Sequence, residues 1–364
     1  MDRYNRHIIL SEIGQKGQGK LSKAKVLVIG AGGLGCPILQ YLTAAGVGTI
    51  GIVDFDVVEV SNLQRQILFG SSSLGQNKAA AAKERLSDLN NSITINAYPE
   101  KLTFQNAMEL FNQHDIIVDG TDNFETRYLI NDACILTHKP LVFGAIYKFQ
   151  GQVSVFNYNN GPTYRCAFPN EPKKNTIPNC SEVGVLGVLP GIIGTMQANE
   201  VLKIILGIGN ALSGKLLCYD ALSAQSTIIN VKRNDLEIQK VLLNKNEFLK
   251  QELSNNCTFN IPEVFIKDLL AKEEVQFIDV RELWERPKVE AISALQIPLS
   301  EFKQHLDKIS SHKEKAIFCH SGIRSKQAVS ILQEHNFDSC YSIKEGASEI
   351  NRILRNYIKQ GSNE

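Results

Sequence analysis

The sequence predicts an α/β protein: a large, mostly parallel sheet with helices on both faces, followed by a second, smaller α/β domain. Three observations predict it. Short apolar runs recur with helical segments between them, among them KVLVIG at 25–30, TIGIVD at 49–54 and DIIVDG at 115–120. Such runs belong to strands buried on both faces. The first run opens directly into a glycine-rich turn. The chain has 364 residues, too many for one ordinary core, and a second strand–helix series begins after a polar stretch.

The elements follow in order. Lys25 to Gly30 reads as a buried strand, and Leu34 to Ala45 as a helix stopped by Gly46. Thr49 to Asp54 is a second strand, Asn77 to Leu89 an Ala-rich helix, Ile93 to Tyr98 a strand. Asp115 to Gly120 is another buried strand, and Glu125 to Thr137 a helix. Leu141 to Tyr147 and Gln152 to Asn157 are strands. Asn159 to Glu182 has no periodicity and is rich in Pro, Asn and Lys, a loop long enough to be functional. A helix from Ile192 to Leu206 and strands at Lys215 to Asp220 and Ser226 to Val231 close a first domain, 1–240. Residues 241–258 read as a linker. In the second domain, 259–364, Pro262 to Leu270 reads as a helix, Gln276 to Val280 and Ala316 to Cys319 as strands. Ser325 to Glu334 reads as a helix and Cys340 to Ile343 as a last strand.

Composition excludes several classes. Lys+Arg number 39 and Asp+Glu 38, so no global field draws the chain to nucleic acid or an anionic membrane. The longest apolar stretch, Val183 to Met196, is too short and too Gly-rich to span a bilayer. The polar N-terminus is unlike a signal peptide. Eight scattered Cys without a Cys-x-x-Cys pair make neither a disulfide framework nor a visible zinc site, which fits a reducing, cytoplasmic setting.

Gly30, Gly32, Gly33 and Gly35 lie between a strand and a helix, where backbone N–H groups and the helix dipole meet phosphate. That makes the first domain Rossmann-like. Asp54 ends the next strand, about 20 residues on, where a carboxylate binds ribose hydroxyls. Dinucleotide binding is therefore the first reading. Ser61-Asn62-Leu63-Gln64-Arg65-Gln66, Lys78 and Asp122-Asn123 turn it toward a triphosphate with Mg²⁺. They supply cations for phosphates and a carboxylate for the metal, which NAD(H) does not need.

GAGGLG, SNLQRQ, Lys78 and the GTDN at 120–123 resemble the MoeB/ThiF group of ubiquitin-activating-like adenylyltransferases, from about Tyr4 to Asp220. The resemblance implies ATP as substrate and a ubiquitin-like sulfur carrier ending in Gly-Gly as partner. Gly33 would touch phosphate and Asp54 hold the ribose. Asn62, Arg65 and Lys78 would position phosphates, and Asp122 would bind Mg²⁺ with Asn123 beside it. Ser61, Leu63 and Gln64 belong to the same motif. Arg6, in Arg3-Tyr4-Asn5-Arg6, matches an arginine that reaches the ATP of the other subunit, which implies a homodimer.

Cys180 ends the irregular loop, where a thiol can be exposed; Lys173 and Lys174 favour thiolate and Glu182 opposes it. In the family a cysteine at the matching place bonds the carrier in some members and is dispensable in others. Cys166 matches one position of a zinc-binding pair, but Thr163 stands at the other and no second pair follows; no zinc is expected. Cys36, Cys134 and Cys218 read as core residues. Cys319 is the strongest thiol candidate. A buried strand delivers it to the loop Cys319-His320-Ser321-Gly322-Ile323-Arg324 before a helix, so backbone N–H groups, the helix end and Arg324 all favour an anionic sulfur. This loop, Phe277 to Glu282 and the Ile297-Pro298-Leu299 strand resemble rhodanese, so the second domain is expected to be rhodanese-like. That implies a persulfide on Cys319 and an upstream donor of the cysteine desulfurase type.

Together the two modules predict adenylylation of a carrier's C-terminal glycine followed by sulfur transfer to give a thiocarboxylate. The resemblance favours the carrier for molybdenum cofactor synthesis; the carrier for thiamine thiazole synthesis is the alternative. An NAD-dependent oxidoreductase or a non-catalytic scaffold are the rivals of another class.

Overall fold

The computed structural model describes residues 2–172, 184–245, 261–270, 272, 274–320, 322–335 and 337–361. The chain falls into two compact units, Met1–Ser254 and Asn255–Glu364.

The first unit is organised on an eight-stranded sheet of order β3-β2-β1-β4-β5-β6-β7-β8. Its strands are β1 (Lys25–Ile29), β2 (Thr49–Val53), β3 (Thr94–Tyr98), β4 (Ile116–Asp119), β5 (Leu141–Tyr147), β6 (Gln150–Phe156), β7 (Lys215–Asp220) and β8 (Gln225–Asn230). β3 through β5 in that order are parallel, and β6, β7 and β8 add antiparallel. Chain order reverses between β1 and β4, the point beside which open α/β sheets bind ligands at their carboxyl ends.

Alternate residues along β1 explain why both sheet faces are covered. Val26 and Val28 join one buried cluster and Leu27 and Ile29 another. Short helices α1 (Asn5–Ile8) and α2 (Gly14–Leu21) come first. Then α3 (Gly35–Ala45), α4 (Lys78–Leu89) and, later, α8 (Leu189–Leu206) supply residues to the first cluster. Helices α5 (Phe104–Asn112) and α6 (Phe124–Thr137) supply the second. α4, α5 and α6 are each started by a side chain that accepts a backbone N–H, from Asn77, Thr103 and Asn123. α3 stops at Gly46, whose φ of +81 suits glycine and against which the Tyr4 ring packs. The helix expected from Ile192 starts earlier, at Leu189, because Pro190 is tolerated in a first turn. Two further helices are α7 (Tyr164–Ala167) and α9 (Asp235–Leu243).

The second unit carries a five-stranded parallel sheet of order β11-β10-β12-β13-β9. The strands are β9 (Glu263–Val264), β10 (Val275–Asp279), β11 (Ala294–Gln296), β12 (Glu314–Phe318) and β13 (Cys340–Ile343). Helices are α10 (Ile266–Leu269), α11 (Ile323–Glu334) and α12 (Ala347–Gly361). Two sequence expectations are corrected here. Pro262 to Leu270 is not one helix: Glu263–Val264 pairs with β13 as an edge strand, where proline is allowed, and only Ile266–Leu269 turns helical. The strand placed at Ile297 to Leu299 lies at Ala294–Gln296, and a 3-10 helix starts at Leu299. Among the described residues no helix is long and apolar enough to cross a membrane.

Candidate functional site

The glycine loop is fixed by close backbone contacts. Gly30 has φ +92, and a Cβ on Gly35 would fall 2.0 Å from the Gly30 carbonyl oxygen. A Cβ on Gly30 would lie 2.9 Å from the oxygen of Gly120, so the loops after β1 and β4 touch at the switch point. Gly32 is open, its nearest neighbour the Gln66 Nε2 at 3.8 Å from an ideal Cβ, and a Cβ on Gly33 would meet Pro190 at 3.1 Å and the Arg65 stem at 3.6 Å.

Asp54 leaves β2 into this loop. Its Oδ2 accepts the Ala31 N–H at 2.7 Å and its Oδ1 the Asp56 N–H at 2.9 Å. Burial raises its carboxyl above the ordinary range, with the Lys78 charge opposing. Asn77 starts α4 and donates to the carbonyls of Asp54 and Asp56. Lys78 follows, 7% exposed, with its Nζ 3.0 Å from Asp56 Oδ2. Asn62 is buried in a capping box with Glu59, and Arg65 Nη1 donates to the Ser61 carbonyl at 3.1 Å. Leu63 packs half-buried against the core, and Gln64 lies against Gly187.

Asp119, at the end of β4, is 1% exposed. Its Oδ1 accepts the N–H and hydroxyl of Thr121 at 2.9 and 2.7 Å. Arg127 donates to the Thr121 carbonyl at 3.1 Å. The remaining Asp119 Oδ2 and Arg127 Nε stand 4.0 Å apart, each without a hydrogen-bond partner. Burial drives the Asp119 carboxyl up, with Arg127 opposing. The two side chains thus hold the start of Thr121-Asp122-Asn123, and they present Asp122 and Asn123 exposed at the head of α6.

Glycine loop, Asp54, Lys78, Arg65 and the segment of Asp122 therefore sit together at the carboxyl end of the parallel strands. Arg6 does not join them. It is exposed on α1, beside a segment anchored by Tyr4 at the far end of α3. The arrangement fits a nucleoside triphosphate with a divalent cation. Open backbone at Gly32 borders the Gln66 side chain, whose buried Oε1 has no hydrogen-bond partner, Arg65 lies against Gly33, and Lys78 and the exposed Asp122 belong to the same group of segments. Sequence reasoning missed Asp56, which holds Lys78 across 22 residues; its only signal was a second acid two positions after Asp54.

Cys180, with Lys173, Lys174 and Glu182, lies outside the described residues. Cys36 and Cys134 are buried, and burial pushes the Cys36 thiol up to about 12. Cys218 is half-buried on β7 rather than in the core, because this antiparallel extension is covered less completely. Cys166 Sγ accepts N–H groups from Thr163 at 3.3 Å and Asn234 at 3.2 Å, which ties α7 to the start of α9. Among the described residues there is no cluster of three or more metal-ligating side chains.

In the second unit β12 delivers Cys319, 1% exposed, to the turn before α11. The Gly322 N–H donates to its Sγ at 3.1 Å; Gly322 has φ +83. Ser325 Oγ lies 3.6 Å from the sulfur, donates to the Gly322 carbonyl and meets Ser342 Oγ at 2.8 Å. Arg324 is turned to Glu285 in a two-pronged ion pair, Nη2 to Oε2 at 2.8 Å. Behind the loop, Arg281 is fully buried with both its Nε and Nη2 on Asp279, at 2.9 and 2.7 Å. Glu285 was missed because its partner lies 39 residues away.

Comparison with known proteins agrees with both units. The ThiF family matches residues 4–239 and the rhodanese-like domain residues 265–352. A sulfur carrier protein adenylyltransferase of Thermus thermophilus is 52% identical over 64% of this chain and 88% of its own. The probable adenylyltransferase/sulfurtransferase MoeZ of Mycobacterium tuberculosis is 39% identical over 94% of this chain and 91% of its own. The adenylyltransferase and sulfurtransferase MOCS3 of Culex quinquefasciatus is 52% identical over 63% of this chain, which spans only 52% of that relative. Among solved structures, E. coli MccB with ATP has a TM-score of 0.56 at 22% identity, covering 64% of this chain and 71% of its own; at that identity it speaks to fold alone. The chain belongs to the ThiF family, an ATP-using adenylyltransferase family, and carries a rhodanese-like domain behind the ThiF unit.

Proposed function

We propose that this enzyme adenylylates the C-terminal glycine of a ubiquitin-like sulfur carrier and then supplies sulfur from a Cys319 persulfide to make a thiocarboxylate. The observation that carries the reading is the grouping of Gly32, Gly33, Asp54, Arg65, Lys78 and the Asp122 segment around the β1–β4 switch point. Relatives named for sulfur carrier adenylylation and for sulfurtransfer support it. A relative named probable molybdopterin-synthase adenylyltransferase supports the molybdenum cofactor carrier over the thiazole one.

The first step needs no general base, since a carboxylate is already ionised at neutral pH. The carrier's carboxylate attacks the α-phosphorus of ATP, and pyrophosphate leaves with the bond pair. The glycine loop offers N–H groups to phosphate, while Arg65 and Lys78 neutralise the leaving oxygens. Lys78 reaches phosphate by exchanging the exposed Asp56 for it. Asp122, helped by Asn123, would hold Mg²⁺, which supplies further charge neutralisation. The persulfide of Cys319 then attacks the acyl carbon and displaces AMP. This gives an acyl disulfide between the carrier and Cys319. A thiolate, from Cys180 or an external thiol, then attacks Cys319 Sγ, the S–S bond breaks, and the carrier thiocarboxylate leaves with the pair, leaving Cys319 in a disulfide with that thiol. Arg6 completes the nucleotide site of a partner subunit in a homodimer.

The test is to mix the protein with Mg-ATP and a panel of carriers and follow each carrier by intact mass. A gain of AMP on one carrier, replaced by a thiocarboxylate when a persulfide donor is added, is expected. ATP binding with no mass change on any carrier would reject the carrier as acyl donor.

A further inference from the structure

The charges around Cys319 are engaged before any sulfur donor arrives. Arg324 gives both terminal nitrogens to the two oxygens of Glu285. The Arg324 guanidinium holds the Glu285 carboxyl down to about 2, so it is anionic at any working pH. Glu285 Oε1 also accepts the Glu282 N–H at 2.9 Å, and Glu282 Oε1 accepts from Ser300 Oγ at 3.0 Å. Both carboxylates, together with the Cys319 sulfur, act on the Arg324 charge. The neighbouring guanidiniums offer no substitute. Arg281 is held by Asp279, and Arg286 is folded back onto the carbonyls of Leu283 and Glu285. Between the two glutamates, Leu283 and Trp284 are 65% and 76% exposed.

This surface discriminates between two classes of sulfane donor. Thiosulfate brings two negative charges and no apolar surface. It must dislodge Glu285 from Arg324 or bind beside an uncompensated carboxylate, and juxtaposed like charges are costly. A persulfide on an organic thiol brings at most one negative charge at the reacting sulfur and an apolar stem that suits Leu283 and Trp284. We propose that Glu285 is a specificity residue of the Cys319 site: it occupies the guanidinium that a dianionic donor needs, and so selects sulfur carried as a persulfide on a thiol. The inference rests on Cys319 as the sulfur carrier. In the selected reaction the Cys319 thiolate attacks the outer sulfur of R–S–SH. The S–S bond breaks, R–S⁻ leaves with the pair, and Cys319–S–SH remains.

The test uses the full chain with two small donors that differ by one charge, thiosulfate and methanethiosulfonate, and cyanide as acceptor. Cyanide removes the outer sulfur as thiocyanate and restores the thiolate. The wild type is expected to favour the monoanion in kcat/KM. Glu285→Gln should shrink that preference about tenfold, mainly through the KM for thiosulfate, whereas Glu285→Asp should keep it. An unchanged preference in folded Glu285→Gln, or an equal fall with both donors, overturns the proposal; the equal fall would make Glu285 a general positioning residue. Should Glu285→Gln fail to fold, the wild type decides: equal kcat/KM for the two donors overturns the proposal, and a preference for the monoanion upholds it. Absence of a one-sulfur mass gain on Cys319 from either donor would sink the sulfur-carrier reading itself, and the proposal with it.

Discussion

The two sites in this chain are built on the same local device, a buried strand opening into a turn before a helix, yet they are finished in opposite ways. Around the glycine loop the groups are only loosely engaged. Lys78 rests on an exposed carboxylate, Arg65 on one carbonyl, and Asp122 stands in solvent. Around Cys319 the partners are already in place: an N–H on the sulfur, a two-pronged partner on Arg324, another on Arg281. A substrate as highly charged as a triphosphate needs groups that can leave their partners. A reactive sulfur that must not wander needs groups that cannot. On the proposed function, the first site is completed by its substrate, whereas the described groups of the second are engaged before it.

The largest expected effects separate the two sites outright. Asp122→Ala should lower carrier-dependent pyrophosphate–ATP exchange about 10³-fold, the scale of several kcal/mol of metal-assisted charge stabilisation. Unaltered exchange would remove Asp122 from the metal. Cys319→Ala should keep that exchange and lose thiocarboxylate formation, read by intact mass of the carrier. Full thiocarboxylate yield in this variant would place the sulfur elsewhere.

A smaller effect tests whether the second site is preformed. Arg281→Met leaves Asp279 buried without its partner and should cost about 3–5 kcal/mol in thermal or urea unfolding of the second unit. Replacing both Arg281 and Asp279 by apolar residues should cost much less, because no unpaired charge is then left inside. Equal losses in the two variants would show that shape, not charge, is what the pair supplies.

Acid titration provides a finer probe. The Glu285 carboxyl falls from 4.5 to about 2 in the folded chain. A lowered carboxyl stabilises the folded state above its unfolded value, and that contribution is lost as pH falls from about 4.5 toward 2. Partial exposure screens the pair, so about 1 kcal/mol is expected. The stability difference between wild type and Glu285→Gln should be constant above pH 5 and shrink below 4.5. A difference that stays flat through that window would mean the ion pair adds nothing to stability.

How much of this was legible in the sequence depends on the range of each interaction. The glycine loop, Asp54 and Cys319 could be read because each stands at a marked place in a local pattern, a buried strand followed by a turn and a helix or an acid at the end of the next strand. α5 was legible but overlooked: Thr103 and Asn106 form its capping box, and Phe104, Ala107, Leu110 and Phe111 recur at helical spacing. The same spacing marks Ala347, Ile350 and Leu354 on α12. By contrast, Asp56 with Lys78 and Glu285 with Arg324 are pairs that only folding brings together. No local pattern says which acid a given cation will choose. The exposed Asp122 shows the same limit from the other side, since what holds its segment is the buried Asp119 and Arg127, both hydrogen-bonded to Thr121.

The smallest effect concerns the segment that follows β6 toward residue 173. Its described part is held at α7 by the Cys166 sulfur, which takes N–H groups from Thr163 and Asn234. Sulfur is a weak acceptor and Cys166 is partly exposed, so water can replace much of what it does. Cys166→Ala should therefore cost only about 1 kcal/mol in unfolding of the first unit. The same variant should leave the Cys319 half-reaction with a small sulfur donor intact, because that step uses the second unit alone. A loss of several kcal/mol, or a loss abolished by chelator treatment of the wild type, would mean that more than hydrogen bonds joins α7 to α9.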